Sequence, residues 1–323
     1  MQGGSEALLV TRPVLAEGIE QFLAAVRRPS PPPPSLEAGR LLADRAAHRL
    51  AYRRPPGMEV SDSYVADGAA ETPIRIYRPA AQATLPAMLY LHGGGFTTGS
   101  VESYDCLAAA LSEATGAVVI SVHYARLPDA TPREALEQSY RILCWAARAA
   151  EALEIDPTCL SVAGDSAGAF LAAHLAVLAR DRGGPGLACQ LLSYGMYDLD
   201  LARPAYSDAR DPVMTRALAE SVIGTYRACD ARSGDPVCAP IEIADLSRLP
   251  AAVILGAEHD PLRAEADDYA VRLRAAGVAV TERVAPGMCH GFLRAVGFSQ
   301  PARDEMAWLG ATFRNILQTR TRP

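Results

Sequence analysis

The sequence predicts an α/β protein: a mostly parallel, eight-stranded central sheet flanked by helices. Three observations predict it. Short apolar runs recur along the chain, bounded by Gly, Pro or polar residues, as buried parallel strands are. Helical stretches fill most of the intervals, and strands alternating with helices call for a sheet covered on both faces. Finally, 323 residues with 50% apolar and 21% charged side chains can bury a sizeable core, as one large domain or two small ones.

The first 55 residues differ in character from the rest. Leu15, Ile19, Phe22 and Val26 recur at helical spacing after Pro13, which suits a first helical turn. Ser30-Pro31-Pro32-Pro33-Pro34-Ser35 predicts a short polyproline segment. A second helix is expected over 36–52 with Ser35 as its cap, and Pro55-Pro56-Gly57 ends that unit. Residues 59–65 and 73–77 read as an antiparallel pair joined through Asp67-Gly68. Further strands are expected at 87–91, 117–122, 160–163, 190–193, 251–255 and 278–284. The clearest helix start is Thr131-Pro132-Arg133-Glu134: a capping Thr, a Pro at the first position and a Glu placed to complete a capping box. Helical stretches also cover 167–182 and 302–317. About 55 residues separate the strands near 190 and 251, far more than an ordinary connection. Part of this interval, 202–229, reads as helical and is expected above the sheet. The expected organisation is an N-terminal helical cap over 1–55 and an α/β domain over 56–323, with an insertion at 200–230 contributing to the cap.

Composition removes several chemistries. All 31 basic residues are arginine. Without lysine there is no pyridoxal Schiff base, no Ser-Lys dyad and no phosphate loop with its lysine. A proton shuttle near neutral pH must come from six histidines, seven cysteines or a perturbed carboxyl. A net charge of -6 with no dense basic face argues against nucleic acid as a partner. No run of 18 apolar residues exists, so no membrane span is expected. The start Met1-Gln-Gly-Gly-Ser-Glu6 shows no secretory pattern. Cys106, Cys144, Cys159, Cys189, Cys229, Cys238 and Cys289 are odd in number and form no CxxC, so separate thiols are expected, with no metal site and a reduced, cytoplasmic setting.

Gly164-Asp165-Ser166-Ala167-Gly168 carries the strongest chemical signal. It fits G-x-S-x-G between a predicted strand and a predicted helix, the context this pattern requires. A serine on so sharp a turn projects its hydroxyl above the sheet, and the helix N-terminus adds positive potential where an oxyanion would form. His92-Gly93-Gly94-Gly95-Phe96 follows the strand at 87–91. Consecutive glycines can aim backbone N–H groups into a cavity and, with the Ala167 N–H, build an oxyanion hole. A phosphate loop is excluded there because neither GK[ST] nor G-x-G-x-x-G accompanies it.

The serine needs a base, and the base needs an orienting carboxylate. Three histidines follow Ser166. His174 sits two turns along the nucleophile helix, roughly 12 Å away, and reads as a packed core residue. His290 lies in Pro286-Gly287-Met288-Cys289-His290-Gly291-Phe292, a loop after the expected last strand, and is the candidate base. Asp260, in Gly256-Ala257-Glu258-His259-Asp260-Pro261-Leu262, is the candidate acid, with Glu258 the alternative. Pro261 is expected to begin the next helix, so Asp260 also suits a helix cap. His259 is expected to point elsewhere, and Cys289 lacks an activating neighbour that Ser166 does not have.

Together, HGGGF (His92 to Phe96), GDSAG (Gly164 to Gly168), DPLRAEA (Asp260 to Ala266) and CHGF (Cys289 to Phe292) resemble the bacterial hormone-sensitive-lipase-like carboxylesterases of the α/β-hydrolase superfamily. The similarity covers nearly the whole chain. It implies the α/β-hydrolase fold with a helical cap, Ser166 as nucleophile, Asp260 as acid and His290 as base. It also implies Gly94, Gly95 and Ala167 as oxyanion donors, with Gly93 in the same turn, hydrolysis of short- to medium-chain esters, and no metal or other cofactor. A homodimer through the edge strand at 278–284 and the terminal helix is a further expectation. Two departures stand out. Ala169 replaces the family's usual second glycine, and His123-Tyr124-Ala125-Arg126-Leu127-Pro128-Asp129 replaces D-Y-R-L-A-P-E. They leave the triad intact and bear on substrate preference and on the ion pairs near the oxyanion loop. His123 is expected to be structural. The same triad would serve an amidase, formamidase or lactonase; a non-catalytic receptor fits less well, because all three triad residues are present.

Overall fold

A computed structural model of the chain describes residues 13–27, 31–50, 52–67, 70–80 and 84–320. Two helices open it, α1 (Ile19–Val26) and α2 (Leu36–Ala47). A hairpin of β1 (Glu59–Asp67) and β2 (Ala70–Arg78) follows; Gly68 of its expected turn lies outside the described residues. The alternating region runs β3 (Leu85–Leu91), α3 (Asp105–Thr115), β4 (Val118–Val122), α4 (Pro132–Arg148), β5 (Ile155–Asp165), α5 (Ala167–Asp181) and β6 (Cys189–Ser193). After the insertion with α6 (Pro204–Ser207) and α7 (Arg216–Asp230) come β7 (Ala251–Ala257), α8 (Arg263–Ala275), β8 (Val280–Ala285) and α9 (Gln300–Arg320).

The eight strands form one sheet in the order β1-β2-β4-β3-β5-β6-β7-β8. β2 runs antiparallel to both neighbours, and every other pair is parallel. The central strands are buried on both faces: Leu89, Ile120, Val162 and Leu192 are fully enclosed on one, and Met88, Val119 and Val253 on the other. Burying each such side chain stabilises the fold by about 1.5–3 kcal/mol. Helices α4, α5 and α8 cover one face with residues such as Ile142, Phe170 and Tyr269. Helices α3 and α9 cover the other with Leu107 and Phe313, and α1 adds Phe22 to the same apolar cluster while packing on α2 and on the short helix Phe292–Gly297.

Caps explain the best-placed boundaries. Thr131 accepts the Glu134 N–H while the Glu134 side chain accepts the Thr131 N–H, a complete capping box beside Pro132. Ser35 accepts the Ala38 N–H at 3.2 Å and starts α2. Other expected boundaries need correction. The first helix begins at Ile19 rather than near Pro13, because Gly18 takes φ +82° at its N-cap and presses against the Phe298 carbonyl. The second ends at Ala47 rather than 52, and β8 begins at Val280 rather than 278. Pro261 does not open α8; Asp260, Pro261 and Leu262 form a turn, and the helix starts at Arg263. The expected helical stretch at 202–229 is two helices separated by residues 208–215.

Candidate active site

The ends of β3, β5, β7 and β8 meet above the sheet, and each delivers one part of the site. Ser166 stands between β5 and α5 with φ 54° and ψ -123°, a conformation that a non-glycine residue adopts only when its surroundings impose it. Its N–H donates to the Ser193 carbonyl at 3.0 Å, tying the turn to β6. Gly168 allows α5 to lie directly on the end of β3, since a Cβ there would overlap the Leu91 carbonyl.

His290 and Asp260 arrive from the loops after β8 and β7. His290 Nδ1 donates to Asp260 Oδ2 at 2.6 Å, which leaves Nε2 to accept the Ser166 hydroxyl at 2.8 Å. Ser166, His290 and Asp260 are 5%, 6% and 4% exposed, so this hydrogen-bonded line is almost closed to solvent. Burial lowers the basicity of His290, but Asp260, Asp211 and Asp165 outweigh it and hold the imidazole above its ordinary value. Asp260 also accepts the Leu262 N–H through Oδ1 at 3.0 Å, a turn ahead of α8 and not the expected helix cap, since Leu262 holds the N-cap position; the turn and the contact with His290 use separate oxygens. Glu258, the alternative acid, instead accepts the Gly287 N–H at 2.6 Å. His259 points away and bonds the Val14 carbonyl. His174 stacks on Phe170 in the core, as expected. Cys289 is buried among acidic neighbours, and burial pushes its thiol well up, against a nucleophilic role.

The glycine turn departs from expectation at one residue. The Gly93 N–H is already engaged, donating to Asp165 Oδ1 at 2.9 Å, so it is no candidate oxyanion donor. Among the described residues, no hydrogen bond engages the N–H groups of Gly94, Gly95 or Ala167. Gly94 and Gly95 take φ +112° and +59°, and a Cβ on Gly95 would stand 2.7 Å from Val222 of α7.

Buried side chains around the turn support it. Asp165, inside the GDSAG motif, accepts Tyr90 Oη at 2.6 Å besides Gly93, and burial pushes its carboxyl up to about 6. His92 lies between the rings of Tyr104 and Tyr124, and burial lowers it to about 3, so it stays neutral. Tyr124 Oη donates to the His92 carbonyl at 2.7 Å. Arg40 of α2 donates to the carbonyls of Thr97 and Leu127 and pairs with Asp129, while Arg126 donates to the Gly99 carbonyl. Arg40 and Arg126 thus tie α2 and the 123–129 segment to the loop after the glycine turn. His123 donates its backbone N–H to Pro73 and packs edge-on to His92, a structural placement. The methyl of Ala169 faces Gly195, where a Cβ would stand 2.5 Å from the Tyr197 ring and 2.8 Å from that methyl, so the backbone there is closed in from both sides. The most informative omission is Asp211, which comes from the insertion and accepts the His290 N–H at 2.7 Å. Its one signal in the sequence is an Asp-Pro step, which marks a turn and nothing more.

Among the described residues, no group of His, Cys, Asp and Glu is arranged to hold a metal ion, and no helix is long and apolar enough to cross a membrane.

A family model described as alpha/beta hydrolase fold matches residues 88–294, and the chain belongs to that family. Within it, the chain is a hormone-sensitive-lipase-like carboxylesterase. It is 34% identical to the carboxylesterase NlhH of Mycobacterium tuberculosis, over 88% of this chain and 86% of that protein. It is 35% identical to an ethyl acetate hydrolase of Pseudomonas putida, over 69% of this chain and 71% of that protein. A hyperthermophilic esterase from the archaeon Pyrobaculum calidifontis superposes with a TM-score of 0.81 at 31% identity, covering 90% of this chain and 99% of that one.

Proposed function

We propose that this carboxylesterase hydrolyses short- to medium-chain carboxylic esters through an acyl-enzyme on Ser166, with His290 as general base and Asp260 as its orienting acid. The observation that carries the reading is the buried line from Asp260 through His290 Nδ1 and Nε2 to the Ser166 hydroxyl. His290 removes the hydroxyl proton as Ser166 Oγ attacks the ester carbonyl. Asp260 holds the tautomer and stabilises the imidazolium. The carbonyl oxygen becomes an oxyanion against the N–H groups of Gly94, Gly95 and Ala167. As the tetrahedral intermediate collapses, the C–O bond to the alcohol breaks, and the alkoxide takes the proton from His290. Water then enters; His290 removes its proton as the water oxygen bonds the acyl carbon, the acyl–Oγ bond breaks to release the carboxylic acid, and Ser166 Oγ takes the proton back from His290.

Two features favour the shorter end of that range. Phe96, Phe170 and Tyr226 pack ring against ring beside the glycine turn, and Val222 presses on Gly95. The relative named ethyl acetate hydrolase is consistent with that size. The cap comprises the N-terminal helices and the 200–230 insertion: Arg40 of α2 and Val222 of α7 both rest on the glycine turn. A reduced, cytoplasmic setting is supported by seven free cysteines.

The test is a short-chain aryl ester assay paired with labelling by a fluorophosphonate probe. Ser166→Ala retains the fold and loses both turnover and labelling; turnover near the wild-type rate would remove Ser166 from the mechanism. Parallel kinetics on a matched ester and amide separate esterase from amidase, and an ester preference is expected.

A further inference from the structure

Asp211 belongs to residues 208–215, between α6 and α7, yet it is 3% exposed and lies against the loop that carries the base. Its carboxylate accepts three backbone N–H groups. Oδ1 takes those of Val213 and Met214 at 2.7 and 2.8 Å, and Oδ2 takes that of His290 at 2.7 Å. Such charge-assisted bonds are short and strong, and a buried carboxylate remains ionised only when its oxygens are satisfied in this way. Other contacts hold the loop at Gly287 and Met288: Ala16 and Glu258 bond Gly287, and His259 bonds Met288. Among the described residues, Asp211 is the partner of the His290 N–H itself.

We infer that Asp211 is a positioning residue for the base: it fixes the backbone that carries the imidazole and places a second negative charge beside it, so that the insertion takes part in catalysis without touching substrate. The inference rests on the reading of His290 as the general base. The groups facing His290 are few. Asp260 comes from the loop after β7, Asp211 from the insertion and Asp165 from the end of β5, while Ser166 and the Tyr194 ring are uncharged neighbours. The cation Arg294 faces Asp165 and Tyr104 from the short helix Phe292–Gly297. Burial works against the imidazolium, and the three carboxylates outweigh it. Asp211 is itself pushed up by burial and by Asp260, as expected of two carboxylates sharing one base.

The decisive variant is Asp211→Asn. Its amide oxygen still accepts from Val213 and Met214, but its NH2 group turns toward the His290 N–H, so that bond and the charge are both lost. Expected are a fall in kcat of about 10- to 100-fold with KM nearly unchanged, and an acid limb of kcat/KM moved to lower pH by roughly half a unit to one unit. Asp211→Glu keeps the charge and is expected to recover the position of the acid limb. If Asp211→Asn does not fold, Asp211→Ser takes its place, because a hydroxyl can still accept from Val213 and Met214. A folded variant with wild-type kcat and acid limb overturns the inference. Failure of both variants to fold also overturns it, because the carboxylate then serves stability alone. If instead the wild type neither hydrolyses esters nor labels at Ser166, the esterase reading itself has failed, and that outcome is read before any variant.

Discussion

Replacing Gly95 by alanine tests the proposed oxyanion turn, and its effect follows from two features of the structure. Gly95 sits at φ +59°, where an L side chain is strained, and a Cβ there would stand 2.7 Å from Val222 Cγ2. The backbone conformation alone costs alanine about 1–2 kcal/mol. The contact adds to this, because valine is stiff at χ1 and cannot swing aside. The strained backbone relaxes by rotating the turn away from Val222, which moves the Gly94 and Gly95 N–H groups off the oxyanion. Losing one such donor costs about 2.7–4 kcal/mol, or 10²–10³ in kcat. The assay is kcat on a short-chain aryl ester, with a thermal melt to monitor folding. A second variant, Gly95→Ala with Val222→Ala, removes the contact but keeps the strain, so kcat is expected to recover at least about tenfold. A Gly95→Ala enzyme within threefold of wild-type kcat would refute the claim that strain at residue 95 displaces the oxyanion donors. A double variant no faster than the single would refute the contact argument.

Asp260→Asn should lower kcat by on the order of 10⁴ while the fold persists, because an amide at that position disfavours the productive tautomer of His290; a pre-steady-state acylation assay reads the loss. The acid limb of kcat/KM should lie above the ordinary histidine value, because the raised His290 must be neutral to accept the Ser166 proton; a limb below that value would contradict the carboxylate cluster. Glu265 is fully buried, bonds Tyr206 Oη and the N–H groups of Tyr197 and Asp198, and burial pushes its carboxyl from 4.5 up to about 7. The folded state therefore binds the extra proton between those values, and stability falls as pH rises through that window. Glu265→Gln removes the ionisation, so its melting temperature should vary less with pH from 5 to 8, by an amount equivalent to on the order of 3 kcal/mol.

The glycine turn, the nucleophile elbow and the His290 loop were legible in the sequence because each is local. Gly164 to Gly168 and His92 to Phe96 are contiguous runs whose steric requirements show in the residue types themselves. Asp260 was legible by chain order, although its turn also satisfied an ordinary capping rule. What escaped the sequence depends on contacts made across the fold. Gly93 reads as a donor like its neighbours until β5 brings Asp165 against it. Asp211 lies 79 residues before the base it bonds, in a long insertion whose path no periodicity specifies. The start of α1 was misplaced for a similar reason. Pro13 is a sound local signal, but Gly18 is fixed by the backbone of Phe298, far along the chain.

Ser166, Asp260 and His290, the proposed nucleophile, acid and base, hang from three different strand ends, and their two hydrogen bonds span 124 and 30 residues of sequence. Contacts so far apart form only after the loops between them have closed, which makes them late events in folding. A chain still being synthesised therefore carries its serine long before it has a base to activate it. During refolding, helical signal should return ahead of esterase activity, and the lag between them times the docking of β7 and β8 onto a sheet already built around β5.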